Sequence, residues 1–441
     1  MSMVVKNNMS AVSTLNTLNK NSSALASSLK KVSSGMKINS AADDASGYAI
    51  SERMRVQIRG LDQANQNTQN GTSMMKVAEG AVSSTVDILK TLKEKVINAA
   101  NDTNTDSDRA TIQKELDQSI DQINDNANVT YNGKYLVDGS HNSKVQTTTT
   151  AMTNESLFST TSGTTAFSAM KDRNGNSLNI NSLDTVTISF VKEGKTYSAT
   201  ASATDNLNKL IENANNATDG KGNQVKAFST TITTASYIGK DIAGDTVHTA
   251  DEKNALTISA ADSGVSNQIS GITISVTNTQ GQVQKSANAV LDNFSESVRA
   301  QNKSDDNAIN LQVGTKANQS IRVGLTDMRA EALGLQSSTG QTIQIGTQQQ
   351  ANAAVNVLDN AVQKALDQQT TIGSVQSRLS YTSSNLTTAS ENVQASESTI
   401  RDADMAKEMT EYTKNNVLLQ AAQSMLAQAN QSSSSVLSLL Q

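Results

Sequence analysis

The feature that most constrains this chain is a run of residues spaced alternately three and four apart near its C-terminal end. Leu358, Ala361, Ala365, Gln368, Ile372, Val375, Leu379, Thr382, Leu386, Ala389, Val393, Ser396 and Ile400 keep that spacing without a slip. A stripe of this kind covers one side of a helix and needs a second helix to bury it. A straight helix over this run would be on the order of 60 Å long. A further helix, from Ala403 to Ala429, carries Val417, Leu418, Ala421, Ala422, Met425, Leu426 and Ala429, and apolar Val436, Leu437, Leu439 and Leu440 follow it. The N-terminal end has the matching pattern. Ala11, Leu15, Leu18, Ser22, Leu25, Leu29, Val32 and Met36 make one stripe, which closes near Gly35. Met75, Ala78, Val82, Thr85, Leu89, Leu92, Val96 and Ala99 make another, on a helix expected from Ala45 to Asn101. After the loop NDTNTDSD, Ile112, Leu116, Ile120 and Ile123 mark a shorter amphipathic helix.

Composition supports long helices. The chain has 441 residues and no proline, where average usage would supply roughly 20. A proline-free chain escapes the usual cause of helix kinks. It also has no cysteine, which removes disulfides and thiol chemistry. Only 3% of residues are aromatic, poor material for a conventional enzyme core.

The segment 141–305 differs in kind. Val186, Ile188 and Phe190 alternate with Thr187 and Ser189, Glu193-Gly194 signals a turn, and KTYSATA, ALTIS and GITISV read as strands. DNLNKLIENANN reads as one short helix. Before it, Asn132-Gly133 between β-rich flanks predicts a hairpin with a type I′ turn. Ser40 and the acids Asp43 and Asp44 predict a helix start with acids in its first turn. The expected fold is mainly α with a β-rich insert. Both termini form a long antiparallel coiled-coil rod, with small β-hairpins in the core and a central, mostly β surface domain. The terminal helices are Ser-, Asn-, Gln- and Ala-rich outside their stripes, so further copies of the chain are the expected cover for the remaining apolar area.

Chemistry is absent from the motifs. His141 and His248 lie in no HExxH pattern and read as loop residues. Adjacent Asp43 and Asp44 cannot face one another across a substrate. No GxxxxGK[ST] loop occurs, and a net charge of −5 gives no reason to expect nucleic acid. No apolar stretch reaches the length of a membrane span or of a secretory signal's core. The expectation is a protein that is not an enzyme and holds no cofactor or metal.

At this point the ends resemble a known family. KKVSSGMKINSAADDASGYAISERM, from Lys30 to Met54, is similar to the N-terminal signature of bacterial flagellins, and STIRDADMAKEMTEYTKNNVLLQAAQSMLAQAN, from Ser398 to Asn430, to the C-terminal one. LQVGTKANQSIRVGLTDMRAEALGL, from Leu311, resembles the family's core hairpin segment. One departure is the C-terminal QSSSSVLSLLQ, where family members commonly carry a proline.

The resemblance implies a subunit that polymerises into the helical flagellar filament for motility. It implies an inner-tube coiled coil from 1–43 with 400–441, a core domain from 44–140 with 306–399, and a surface insert at 141–305. Assembly seams are expected at Leu15, Leu18, Leu25, Leu29, Val32, Leu379, Leu386, Val393, Ile400, Val417, Met425 and Leu426. The implied partners are other copies, a flagellar secretion chaperone on the C-terminal segment, and hook-associated and cap proteins, with no nucleic acid and no membrane. The implied place is the extracellular flagellum, reached by the flagellar type III route without a cleaved signal peptide. Before assembly, 1–43 and 400–441 are expected to be largely disordered. Two alternatives stand beside this reading: a hook–filament junction protein, or a secreted flagellin-like adhesin acting through its insert.

The family's segment LQRVRELAVQSAN, bound in many members by the Toll-like flagellin receptor of animals, matches Leu89 to Asn101. Its first Arg falls on Thr91, its second on Lys93 and its Leu on Lys95. Glu115 matches a further receptor-facing acid, and Asn98 completes the candidate surface. Thr91 lacks the donor fork of Arg, and Lys95 places a hydrated charge at an apolar position. Weak receptor activation is the expectation.

Overall fold

The computed structural model describes residues 8–218, 222–241 and 243–439. Seven α-helices are present among them: α1 Met9–Ser34, α2 Ala45–Ala99, α3 Asp106–Ala127, α4 Leu207–Asn215, α5 Lys285–Leu291, α6 Gln348–Arg401 and α7 Met405–Leu439. The described chain thus has long terminal helices and a β-rich centre. Contacts divide it into two compact units. One comprises 1–68, 312–319 and 381–441; the other comprises 69–311 and 320–380. Both α2 and α6 contribute residues to each.

The larger unit is built on the helical stripes. Met75, Ala78, Val82, Thr85, Leu89, Leu92, Val96 and Ala99 of α2 are all buried. So are Leu358, Ala361, Ala365, Gln368, Ile372 and Leu379 of α6. The polar members of these stripes make hydrogen bonds inside the unit, although the Gln368 amide nitrogen is buried without a partner. The Thr85 hydroxyl donates to the Ala81 carbonyl at 3.0 Å, and Gln368 Oε1 accepts from the Thr326 hydroxyl at 2.6 Å. Within this unit α2 and α6 run antiparallel, since Glu79 accepts from Gln376 at 2.7 Å and Lys93 pairs with Asp359. A Thr105–Asp108 capping box starts α3. Arg109 then reaches back, donating to the carbonyls of Ala99 (2.9 Å) and Asn101 (3.2 Å), which closes the end of α2.

The middle segment folds as a three-stranded and a four-stranded antiparallel sheet around one core. Ile269–Thr277, Thr185–Lys192 and Lys195–Ser202 form the first; Ser295–Val298, Ala151–Asn154, Ala255–Ser259 and Thr233–Ala235 form the second. All five phenylalanines of the chain lie in this segment. Phe190, Phe228 and Phe167 are fully buried in its core with Val186, Ile188, Leu210 and Ile274. The expected turns form as read. Asn132 and Gly133 have φ of 50° and 76°, Glu193 and Gly194 have 50° and 72°, and each pair closes a two-residue hairpin. Gly194 has a second constraint: an added Cβ would collide with the Gln341 carbonyl oxygen.

Alternation held for only one face of the strand Thr185–Lys192. Ser189 and Val191, on the other face, are buried as well. The cover is the start of α6. Gln349 donates to Ser189 at 2.8 Å, and Asn356 and Asn360 donate to the carbonyls of Ile272 and Ser270 at 2.9 Å. At Gly271 a Cβ would sit 3.0 Å from Val357. The middle segment is therefore docked on α6 rather than joined to the helices only by its ends. The acids Asp43 and Asp44 precede α2 instead of lying in its first turn. Asp44 Oδ1 accepts from Ser46 and Gly47 N–H, while Asp43 Oδ2 accepts from Asn39 and Ser40 N–H. Helix α5 and the strands at 151–154 and 295–298 were not read from the sequence. Helix α7 extends past Ala429 to Leu439. Leu440 lies outside the described residues, as do the side chains of Val436, Leu437 and Leu439.

Two acids at the docked face give a pH dependence. Burial pushes the Asp292 carboxyl up to about 6, against hydrogen bonds from Ile274 N–H and Asn356. Burial also raises Glu296, which lies 3.4 Å from Arg299. A raised folded-state pKa means that the folded chain binds protons the unfolded chain does not, so stability falls as pH rises through about 6. Thermal melting at pH 5 and pH 7.5 should favour pH 5 by on the order of 1 kcal/mol for this group. Asp292→Asn should reduce that difference; an unchanged difference would show that Asp292 is ionised throughout.

A candidate assembly interface on the terminal helices

In the smaller unit α1 and α7 pair antiparallel. Asn8 Nδ2 donates to the Ala429 carbonyl and Asn21 Nδ2 to the Leu418 carbonyl, each at 3.2 Å. Asn415 Nδ2 donates to Ser28 Oγ at 2.9 Å, and Lys31 lies 3.6 Å from Glu408. The residues turned inward are Ala11, Thr14, Leu18, Asn21, Leu25, Ser28 and Val32 on α1. On α7 they are Glu408, Tyr412, Asn415, Leu419, Ala422, Leu426 and Ala429. Of these only Ser28 and Ala422 are fully buried.

This corrects the expected stripe. Leu18, Leu25 and Val32 face the partner helix, but the neighbours that complete the row are Thr14, Asn21 and Ser28, not Leu15, Ser22 and Leu29. Leu15 and Leu29 are 45% and 51% exposed. Short polar groups at Asn21 and Ser28 hydrogen-bond directly to α7, which brings the helices together on that flank and turns the leucines out. The same holds on α7. Leu426 is half-buried, whereas Val417 is 59% and Met425 62% exposed. Val417, Ala421 and Met425 lie four residues apart on one outward row. Val12, Leu418, Met405 and Met409 add to the exposed apolar surface. Ordinarily such a hairpin hides its apolar side and shows its polar one; here polar groups mediate much of the internal contact.

The signature motifs build the joint at the base of this hairpin. Gly35 ends α1 in the left-handed region, φ 70°, with its N–H on the Lys31 carbonyl. Lys37 N–H donates to the Arg401 carbonyl at 2.8 Å and Ala403 N–H to the Gly35 carbonyl at 2.9 Å. Arg401 is buried, pairs with Glu52 at 2.6 Å and lies 5.3 Å over the Tyr48 ring. That guanidinium lowers the Glu52 pKa. Asp404 Oδ1 accepts from Ala406 and Lys407 N–H and starts α7. Below the joint α2 and α6 meet through Arg55 and Glu397 at 2.9 Å. Leu61, Ala64 and Leu386 make a small core with Ala389 and Val393 packed on it. Ile400 is half-buried.

The candidate receptor-facing residues lie on the larger unit. Thr91, Asn98 and Glu115 are exposed and Lys93 and Lys95 half-exposed. Lys95 pairs with Glu115 at 2.9 Å, and Asn98 accepts from Asn104. His141 contacts the Asn307 carbonyl at 3.2 Å, and His248 lies edge-on to Tyr237. Among the described residues no three His, Asp or Glu side chains are placed to hold a metal ion, and no helix is long and apolar enough to cross a membrane.

Two long helical ends meet through a mixed polar and apolar contact and present apolar side chains outward, features of a structural chain rather than of a catalytic one. Comparison with known proteins gives the family. Residues 5–142 match the bacterial flagellin N-terminal helical region, and residues 355–440 match its C-terminal helical region. The chain is 32% identical to a flagellin of Clostridium tyrobutyricum, over 97% of this chain and 99% of that one. It is 31% identical to a flagellin of Bacillus subtilis strain 168, over 99% and 100%. Among solved structures, FliC from Burkholderia pseudomallei aligns at a TM-score of 0.26 and 17% identity, over 70% of this chain and 99% of that one. The chain belongs to the bacterial flagellin family. It is a subunit of the bacterial flagellar filament, outside the cell.

Proposed function

We propose that the outward rows of α1 and α7 are the surfaces through which copies of the chain join. The supporting observation is the exposure of Leu15, Leu29, Val417 and Met425 beside a polar internal contact. On this reading 1–43 with 400–441 form the inner tube, 44–140 with 306–399 the core, and 141–305 the outer surface. Heterologous contacts that do not close on themselves give a helical polymer. The subunit leaves the cell by the flagellar type III route, its C-terminal segment held by a secretion chaperone until export. Hook-associated and cap proteins bound the polymer at its ends.

The test is seeded polymerisation of Leu15→Asn, Leu29→Asn and Val417→Asn chains. These exposed positions contribute little to the monomer fold, so melting should change by less than about 0.5 kcal/mol. Filament elongation should fall at least roughly tenfold, the cost of leaving polar groups in an apolar contact. Amide exchange in α1 and α7 should also be fast in the monomer and slow in the filament. Normal elongation by all three chains, or strong protection in the monomer, would place the assembly contacts elsewhere.

For the host receptor, Thr91, Lys93, Lys95, Asn98 and Glu115 form the proposed contact surface, and binding is weak. The Lys95–Glu115 pair supports this, because docking must either break it or desolvate it. Thr91→Arg with Lys95→Leu should raise reporter potency of pure monomer about tenfold or more. Full potency in the unmodified chain, or no gain from the double change, contradicts the proposal.

A further inference from the structure

The chain has thirteen methionines, and their exposure divides sharply. Among the described residues the exposed ones are Met9, Met405, Met409 and Met425, at 71%, 44%, 45% and 62%, all on α1 or α7. Met74, Met75, Met152, Met170 and Met328, in the larger unit, are buried to 6% exposure or less. Met36 and Met54 are half-buried. Among the described residues a solvent oxidant therefore reaches first the thioethers on the two terminal helices.

We propose that Met405, Met409 and Met425, with Met9, are oxidant-sensitive positions at which peroxide blocks assembly of the free subunit while leaving its folded core intact. The inference rests on the reading that copies of the chain cover the outward faces of α1 and α7. In the reaction a methionine sulfur lone pair attacks one oxygen of hydrogen peroxide. An S–O bond forms and the O–O bond breaks. The departing hydroxide and the proton left on the transferred oxygen end as water. Sulfur loses two electrons and peroxide gains two, giving the sulfoxide. A flexible apolar side chain becomes a polar one. On a solvated monomer the change costs little. In an apolar contact between subunits, each sulfoxide without a hydrogen-bond donor should weaken association about tenfold. Once the contact has formed, the same sulfurs are shielded. Free subunits are then the vulnerable form and the polymer the protected one.

The experiment treats purified monomer and preformed filaments with graded hydrogen peroxide. Each methionine is followed by peptide mass mapping, and the treated monomer is assayed by seeded elongation. Met9, Met405, Met409 and Met425 should oxidise in the monomer before the five buried methionines. Elongation should fall about tenfold or more and recover after reduction by methionine sulfoxide reductases of both epimer specificities. A chain carrying Met→Leu at these four positions should elongate equally with and without peroxide. Monomer fully oxidised at these four yet elongating at the untreated rate would overturn the proposal. So would equal peroxide sensitivity in the Met→Leu chain. If Met405, Met409 and Met425 react as fast in filaments as in monomer, copies do not cover these faces and the underlying reading fails too. Protection in filaments with harmless oxidation overturns the inference alone.

Discussion

A chain ending after Ile400 is expected to form no long filaments when seeded, while its larger unit stays folded. The truncation removes α7 entirely. Asn21, Ser28 and Lys31 of α1 then lose their partners Leu418, Asn415 and Glu408. An isolated helix of 26 residues with this polar composition is marginal in water. The cut also removes Arg401, leaving Glu52 without its buried partner and Tyr48 without its cation. The outward row of Val417 and Met425 goes with it. The larger unit, 69–311 with 320–380, keeps every residue. Electron microscopy after seeding should show seeds that do not grow, and circular dichroism should show a retained cooperative melt. Elongation equal to that of the full chain would remove the terminal helices from the assembly mechanism.

The second large effect is expected at Leu379. Its side chain is fully buried on the α6 stripe. Leu379→Asp removes apolar packing and places a carboxylate at a position closed to solvent. The combined loss is on the order of 4 kcal/mol or more, a large share of a domain's stability. Leu386→Asp, one heptad further, should cost less. Leu386 is 9% exposed, and its core holds only Leu61, Ala64 and the half-buried Ala389 and Val393. The prediction is loss of motility for Leu379→Asp and a lower melting temperature than for Leu386→Asp. Normal swimming by a Leu379→Asp strain would mean that the stripe is not a buried seam.

The long helices were legible because their pattern is redundant. Along α6, positions from Leu358 to Ile400 repeat one spacing, and all of them but Ser396 are buried or half-buried. No single residue had to be interpreted. The hairpins at Asn132-Gly133 and Glu193-Gly194 were legible for a different reason. A two-residue turn with both φ positive admits few residue types. The docking of the middle segment on α6 was not legible. It rests on Ser189, Gly271, Asn356 and Asn360, whose small or polar side chains read as surface residues.

The candidate interface divides along the same line. By itself the sequence determined that both ends are helical, that they pair antiparallel, and that apolar residues exceed what one partner covers. It could not determine which flank of α1 meets α7. Leu18, Leu25 and Val32 are flanked on one side by Leu15 and Leu29 and on the other by Thr14, Asn21 and Ser28, and hydrophobicity favours the leucines. Only the tertiary structure decided for the polar flank. There, short side chains let two backbones approach closely enough for Asn21 to reach a carbonyl and Asn415 to reach Ser28. Hydrogen bonds are directional and fall off steeply with distance and angle, so they select one approach. Apolar burial is non-directional and leaves Leu15, Leu29, Val417 and Met425 free to be satisfied by another copy of the chain.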